Sequence, residues 1–305
     1  MTANGESTVA PLRAWGAAGA ISLMIVGCAW LIWAAIGPLP SRDFIEFNRA
    51  RIVEFGAQPY MKGSATVLMI GSSVLKYATR TEADFAEAVS LATGRQVRVL
   101  RVVSNGGSFS NLVPLLGDFQ SLHPDVLVMQ RDQLVYERPR NGAFAVSVER
   151  AREWLGIVNE QNLEKPTLQA EIQFEYPCWK RAVVAKRNVD EHIQNRDQWV
   201  DIRPDGPSAS AARELVQSVL GQGGFVALVD LPRRPDYDAM ARPDRDAAID
   251  ELELERIWPR INLWDHGPMA IDMYCDVSHV TREGQAIFSS WLEANVAAAV
   301  SRIGQ

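Results

Sequence analysis

Near its C-terminus the chain reads Tyr274-Cys275-Asp276-Val277-Ser278-His279-Val280-Thr281, a carboxylate three residues ahead of an imidazole and just before a helical stretch. On a turn, that spacing lets the Asp accept the Nδ1 proton of the His and leaves Nε2 facing outward as a base. A base of this kind needs a nucleophile. The apolar run Thr66-Val67-Leu68-Met69-Ile70 ends in Gly71-Ser72-Ser73-Val74-Leu75, and Glu82 to Thr93 then has helical periodicity. A short β-branched and apolar run bounded by Gly suits a buried parallel strand, so Ser73 is expected at a strand-to-helix turn. There Gly71 would allow the tight bend, and the first amides of the next turn would face the Ser oxygen. Alone, Gly-Ser-Ser is also what a helix N-cap looks like. Paired with the distal Asp-x-x-His it points to Ser-His-Asp nucleophilic catalysis by Ser73, His279 and Asp276. Asp272, seven residues before His279, is the rival orienting carboxylate; spacing favours Asp276. His123, His192 and His266 lack the spacing of metal ligands, so neither metal nor cofactor is expected.

These residues resemble the blocks of an SGNH (GDSL-like) hydrolase of the membrane-anchored bacterial type. The first block of that family is Gly-Asp-Ser after the first strand, here with Ser72 in place of the Asp; the last is Asp-x-x-His before the final helix. The second, Asn-x-Gly, is matched by Asn105-Gly106-Gly107 after an apolar strand from Val97 to Val103. By that match the backbone N–H of Gly107 joins that of Ser73 as an oxyanion donor. The third block departs. After the strand Pro124 to Met129 the family has Gly-x-Asn-Asp, whereas this chain has Gln130-Arg131-Asp132-Gln133. Asn105, Asn111, Gln130 or Gln133 could supply the missing amide, and spacing does not choose among them. Phe225 to Pro232 resembles the penultimate block. The resemblance covers about residues 64 to 303. It implies a three-layer α/β/α flavodoxin-like sandwich with a parallel central sheet, preceded by one transmembrane helix. It also implies a serine esterase or O-acyltransferase acting on a carbohydrate or cell-envelope polymer, with a membrane acyl-donor protein as partner of a transferase. The rival is a non-catalytic, membrane-anchored binding or assembly factor.

Several elements must position this chemistry. At 305 residues, 47% hydrophobic and 22% charged, the chain can bury one substantial core. Net charge is −6 with no Lys/Arg cluster, which makes nucleic acid an unsuitable partner. The expected organisation is an N-terminal tail (1–13), an anchor (14–36), a linker and packing helix (37–63) and the hydrolase domain (64–305). Ala14 to Ile36 is uncharged for 23 residues, with Trp15 near one end and Trp30 and Trp33 near the other. As a helix it would span about 35 Å. A cleaved signal peptide and a lipobox at Ile25-Val26-Gly27-Cys28 are the alternatives. Arg42, Arg49 and Arg51 outnumber Arg13 and favour the domain staying inside; the resemblance places it outside, as a single-pass inner-membrane protein with a periplasmic or extracytoplasmic domain. Cys178 and Cys275 could pair there or remain thiols.

After the linker, Ser41 can cap a helix carrying Phe44, Phe47, Ile52 and Phe55 toward the domain. A helical pattern covers Ala145 to Leu155, and Glu164 to Pro204 holds a strand at Leu168 to Phe174 and a basic helix near Lys180 to Arg187, an insertion suited to shaping a cleft. Arg131, Arg138, Arg140, Arg233 and Arg234 fall after strands, as anion-binding groups or as salt-bridge partners.

Overall fold

The computed structural model describes residues 9–36, 42–58, 63–104, 108–137 and 201–303, with backbone alone at 9–13, 29–36, 42–43 and 255. Five parallel strands form the sheet: β1 (Ala65–Ser72), β2 (Val97–Ser104), β3 (Val126–Gln130), β6 (Phe225–Asp230) and β7 (Asn262–Asp265), in the order β2-β1-β3-β6-β7. Every residue of β1 and β3 is buried, which is why they read as continuous apolar runs instead of alternating ones. A separate two-residue ladder pairs β4 (Tyr136–Glu137) with β5 (Asp201–Ile202).

Helices cover both faces, giving the expected α/β/α layering. On one face α2 (Arg42–Ala57), α5 (Leu116–Ser121), α6 (Pro207–Gly221) and α7 (Pro235–Asp250) bury Phe44, Ile52, Phe119, Leu215 and Ile249 against Leu68, Ile70, Leu127 and Leu228. On the other, α3 (Ser73–Ala78), α4 (Glu82–Thr93) and the C-terminal α9 (Arg282–Arg302) bury Leu75, Phe85, Phe288 and Leu292 against Val67, Met69, Val128 and Val229. The strand residues alternate between the two clusters because successive side chains point to opposite faces. A short α8 (Leu254–Ile257) leads toward β7.

The register sets the working edge. Ser72 pairs with Ser104, Ile70 with Met129, Gln130 with Val229 and Asp230 with Asp265, so the carboxyl ends of the strands line up. From β1 the order runs to β2 on one side and to β3 on the other, making a topological switch point at the end of β1. Ser73 is the residue directly after it.

The N-terminal helix α1 runs Val9–Ile36. Among the described residues no helix is long and apolar enough to cross a membrane; of the expected anchor, side chains are described only as far as Cys28. The expected elements at 145–155, 168–174 and 180–187 lie outside the described residues, as does Ser41. The strands and helices read from the sequence are otherwise present, and α5, α6, α7, α8, β4, β5 and β7 are additions to them.

Candidate active site

At the end of β1 the chain turns directly into α3. Ser72 keeps an extended backbone (φ −104°, ψ −175°) and caps the helix, its Oγ accepting the N–H of Val74 at 3.3 Å. Ser73 is thereby the first helical residue, whose N–H has no acceptor within the helix. Gly71 is needed here for closeness and not for an unusual turn: an added Cβ would stand 2.8 Å from Leu75 Cδ2 and 2.9 Å from Leu75 Cβ. Its φ is not among the positive ones. The expected role of Gly71 in allowing a tight bend is corrected accordingly: the constraint is α3 packing hard on the strand.

The second half of the site hangs between β7 and α9. A single antiparallel bridge, Tyr274 to Val280, closes a small loop, with the Cys275 N–H donating to His279 O at 3.0 Å and the Thr281 N–H to Met273 O at 2.7 Å. Thr281 then caps α9 by accepting the Gly284 N–H at 3.2 Å. Within the loop Asp276 Oδ1 accepts two backbone N–H groups, from Ser278 at 2.8 Å and His279 at 2.7 Å. That leaves Oδ2 to take the ring, 2.7 Å from His279 Nδ1. The opposite ring nitrogen, Nε2, lies 3.1 Å from Ser73 Oγ across 206 residues of sequence. All three expected residues therefore meet in one hydrogen-bonded line, and Asp276 rather than Asp272 faces the ring.

The surroundings hold that line in place. Tyr77, one helical turn after Ser73, sets its ring edge-to-face against His279, with centroids 5.1 Å apart and planes at 88°. Burial pushes the Asp276 carboxyl up, but the hydrogen bond and charge of His279 and the two backbone N–H groups outweigh it and hold the group below its ordinary range. The Asp276 carboxyl is thus held ionised beside the ring. Cys275, next to Asp276, is disulfide-bonded, while Cys28 is free and exposed; Cys178 lies outside the described residues.

The expected oxyanion groups divide. Ser73 N–H stands at the turn; Gly107 and Asn105 lie outside the described residues, and Asn111 is buried in the turn Phe109–Asn111. Gln130 is 1% exposed, and its amide is engaged beneath the turn at Ser72 and Ser73: Oε1 accepts the Ser72 N–H at 2.9 Å, and Nε2 donates to Asp132 Oδ2 at 3.0 Å. Arg131, Arg233 and Arg234 do sit at the strand ends, but each is committed to carboxylates. Arg131 pairs with Asp230 and Asp246, Arg233 with Asp132, and Arg234 with Asp236. The salt-bridge alternative is thus what the described arginines show; Arg138 and Arg140 lie outside.

Sequence reasoning missed Asp132, Arg245 and Tyr77. Tyr77 carried a usable signal, since a residue four after Ser73 lies on the same helix face. Asp132 was visible only as a mismatch in the third block. Arg245, 1% exposed, looked like any charged helix residue.

No family model matches the sequence, and no curated protein matches it. Among solved structures the fold is similar to that of a Bacteroides fragilis protein described as an acylhydrolase, at 12% identity and TM-score 0.43, over 82% of this chain and 95% of that one. It is also similar to a catalytic mutant of an acetylxylan esterase from Geobacillus stearothermophilus (11% identity, TM-score 0.39, 76% and 94% of the two chains). A third is a carbohydrate acetylesterase family member from Sinorhizobium meliloti (14% identity, TM-score 0.36, 77% and 99%). The architecture is an α/β fold with a parallel five-stranded sheet between helical layers. The roles of Ser73, Asp276 and His279 rest on their own geometry.

Proposed function

We propose that the protein is a serine esterase or O-acyltransferase that works through an acyl-enzyme on Ser73. The single observation that carries this reading is the contact between His279 Nε2 and Ser73 Oγ at 3.1 Å, with Nδ1 held by Asp276 at 2.7 Å. A nucleophile within hydrogen-bond reach of a base, itself oriented by a third group, is the arrangement that acyl transfer requires. His279 takes the Ser73 proton as Oγ bonds to the ester carbonyl carbon. The N–H of Ser73 faces the oxyanion, and His279 returns the proton to the departing alcohol. Water then frees the acid, or a sugar hydroxyl takes the acyl group. A purely binding or assembly role gives no reason for these three side chains to converge from opposite ends of the chain.

The substrate class, an ester-linked acyl group on a carbohydrate or envelope polymer, follows the sequence resemblance, as does a membrane acyl-donor partner. Membrane anchoring through residues 14–36 is supported by the exposure of Ile21, Leu23, Met24, Ile25 and Val26 on α1. A helix apolar on all sides is stable only when lipid or protein covers it. The disulfide at Cys275 supports an extracytoplasmic domain, because such bonds persist in oxidising compartments.

The test is labelling of the full chain, in detergent, with a fluorophosphonate probe, followed by peptide mapping. Wild type is expected to carry the label on Ser73, and Ser73→Ala and His279→Ala to lose it. Folded wild-type protein that resists the probe would overturn the enzymatic reading.

A further inference from the structure

We infer that a buried Asp132–Arg233–Arg245 cluster is the positioning device for Ser73, acting through the side-chain amide of Gln130. This rests on the reading of Ser73 as nucleophile. The path is continuous. The N–H of Ser72, the residue before the nucleophile, donates to Gln130 Oε1 at 2.9 Å, and Gln130 Nε2 donates to Asp132 Oδ2 at 3.0 Å. Arg233 Nη2 donates to the same Asp132 oxygen, and Arg245 Nη1 lies 3.3 Å from the other. Gln130, Asp132 and Arg245 are each no more than 2% exposed.

An amide by itself cannot decide which end faces Ser72. Rotated by half a turn it would present an N–H to an N–H, and the turn below the nucleophile would lose its bond. An ionised carboxylate accepts and never donates, so Asp132 forces the Nε2 end of Gln130 toward itself and the Oε1 end toward Ser72. The two arginines keep that carboxylate charged: burial raises its pKa, but Arg233, Arg245 and the Gln130 amide bring it down to about 2. The same segment also reaches the other half of the site, because the Arg234 N–H donates to Val277 O at 3.1 Å, inside the loop that carries Asp276 and His279. The strand-end loop at 231–234 thus ties the nucleophile's turn and the base's loop to one charged core.

Stability alone is a poor account of such a cluster. Removing two ions from water costs about what their attraction returns, and well-packed apolar side chains in their place are often neutral or stabilising. A fixed register between two loops is what the ions supply and apolar groups would not.

The experiment uses the full chain in detergent and reads two rate constants per labelled site: fluorophosphonate inactivation and the turnover of p-nitrophenyl acetate. Gln130→Met keeps the volume and removes both bonds. It is expected to slow inactivation and kcat by about tenfold to a hundredfold, the cost of misplacing a reacting group by an ångström or less, with KM within about twofold. Asp246→Asn is the comparison, since Asp246 pairs with Arg131 and Arg245 at the outer side of the cluster and takes no part in either bond of the Gln130 amide. It is expected to lower the melting temperature while leaving both rate constants as in wild type. Gln130→Met reacting at the wild-type rate would overturn the positioning role and leave the nucleophile reading intact. Equal slowing in both variants would overturn it too, by showing that general loosening suffices. Folded wild type that does not label at Ser73 would overturn the underlying reading and this inference with it. Because rate constants are compared and not amounts, a variant with a smaller folded fraction cannot imitate the effect.

Discussion

Replacing Asp276 with Asn changes one atom, and the hydrogen bonds around that atom decide the consequence. Oδ1 of Asp276 accepts from the N–H groups of Ser278 and His279 at 2.8 and 2.7 Å, so an Asn must keep its oxygen there; turned over, its NH₂ would face two N–H donors. Nδ2 is then left facing His279 Nδ1, where Oδ2 stood at 2.7 Å. The ring can meet that donor only by carrying its proton on Nε2. Nε2–H then points at Ser73 Oγ, 3.1 Å away, and cannot remove its proton. With the loop geometry kept and the tautomer wrong, the loss is about ten-thousandfold in kcat, or about 5 kcal/mol of transition-state stabilisation. Stability should change little, because the Asp276 side chain is 41% exposed and solvent screens its charge. Steady-state hydrolysis of p-nitrophenyl acetate, beside a thermal melt, measures both quantities. Asp276→Asn within tenfold of wild type, with the fold intact, would refute the assignment of Asp276 as the group that sets the tautomer of His279.

The same geometry has other measurable outcomes. Asp132 has a folded pKa of about 2 against an ordinary 3.8, so it contributes stability that is fully present above about pH 4 and is lost as pH falls through about 2. That contribution is on the order of 2 kcal/mol, and urea titrations of wild type and Asp132→Asn should converge as pH is lowered across this window. Gly284→Ala would put a methyl 2.6 Å from the Met273 carbonyl oxygen and push α9 off the loop that carries the base. It should cost about 1–3 kcal/mol by chemical denaturation and reduce turnover as well. Tyr77→Ala removes the ring against His279 and should lower kcat several-fold, whereas Tyr77→Phe, which keeps the edge-to-face contact, should retain it.

Much of this site was legible in the linear chain because its parts are local. A buried parallel strand must be a short apolar run, as 65–72 and 126–130 are. Asp276 reaches His279 because the two sit three positions apart on one turn, and Thr281 announces the helix after it. What escaped depends on contacts distant in sequence. The segment of α7, charged and carrying Pro243 inside it, reads poorly as a helix; burial of Arg245 against carboxylates from β6 and the end of β3 makes it one. β7 is a four-residue edge strand with two exposed positions, so its hydrophobic signal is weak. Gln130 has the residue type of a spare oxyanion donor, but its amide is bonded at both ends.

The sequence by itself therefore determined the residue types of the chemistry, the strands that carry them and the Asp276–His279 pairing, since each depends on neighbours within a few positions. Only the tertiary structure decided that His279 meets Ser73 and that a charged core underlies the turn at Ser73. Those facts are set by how parallel strands order themselves and by which buried charges find partners, and no local spacing encodes either.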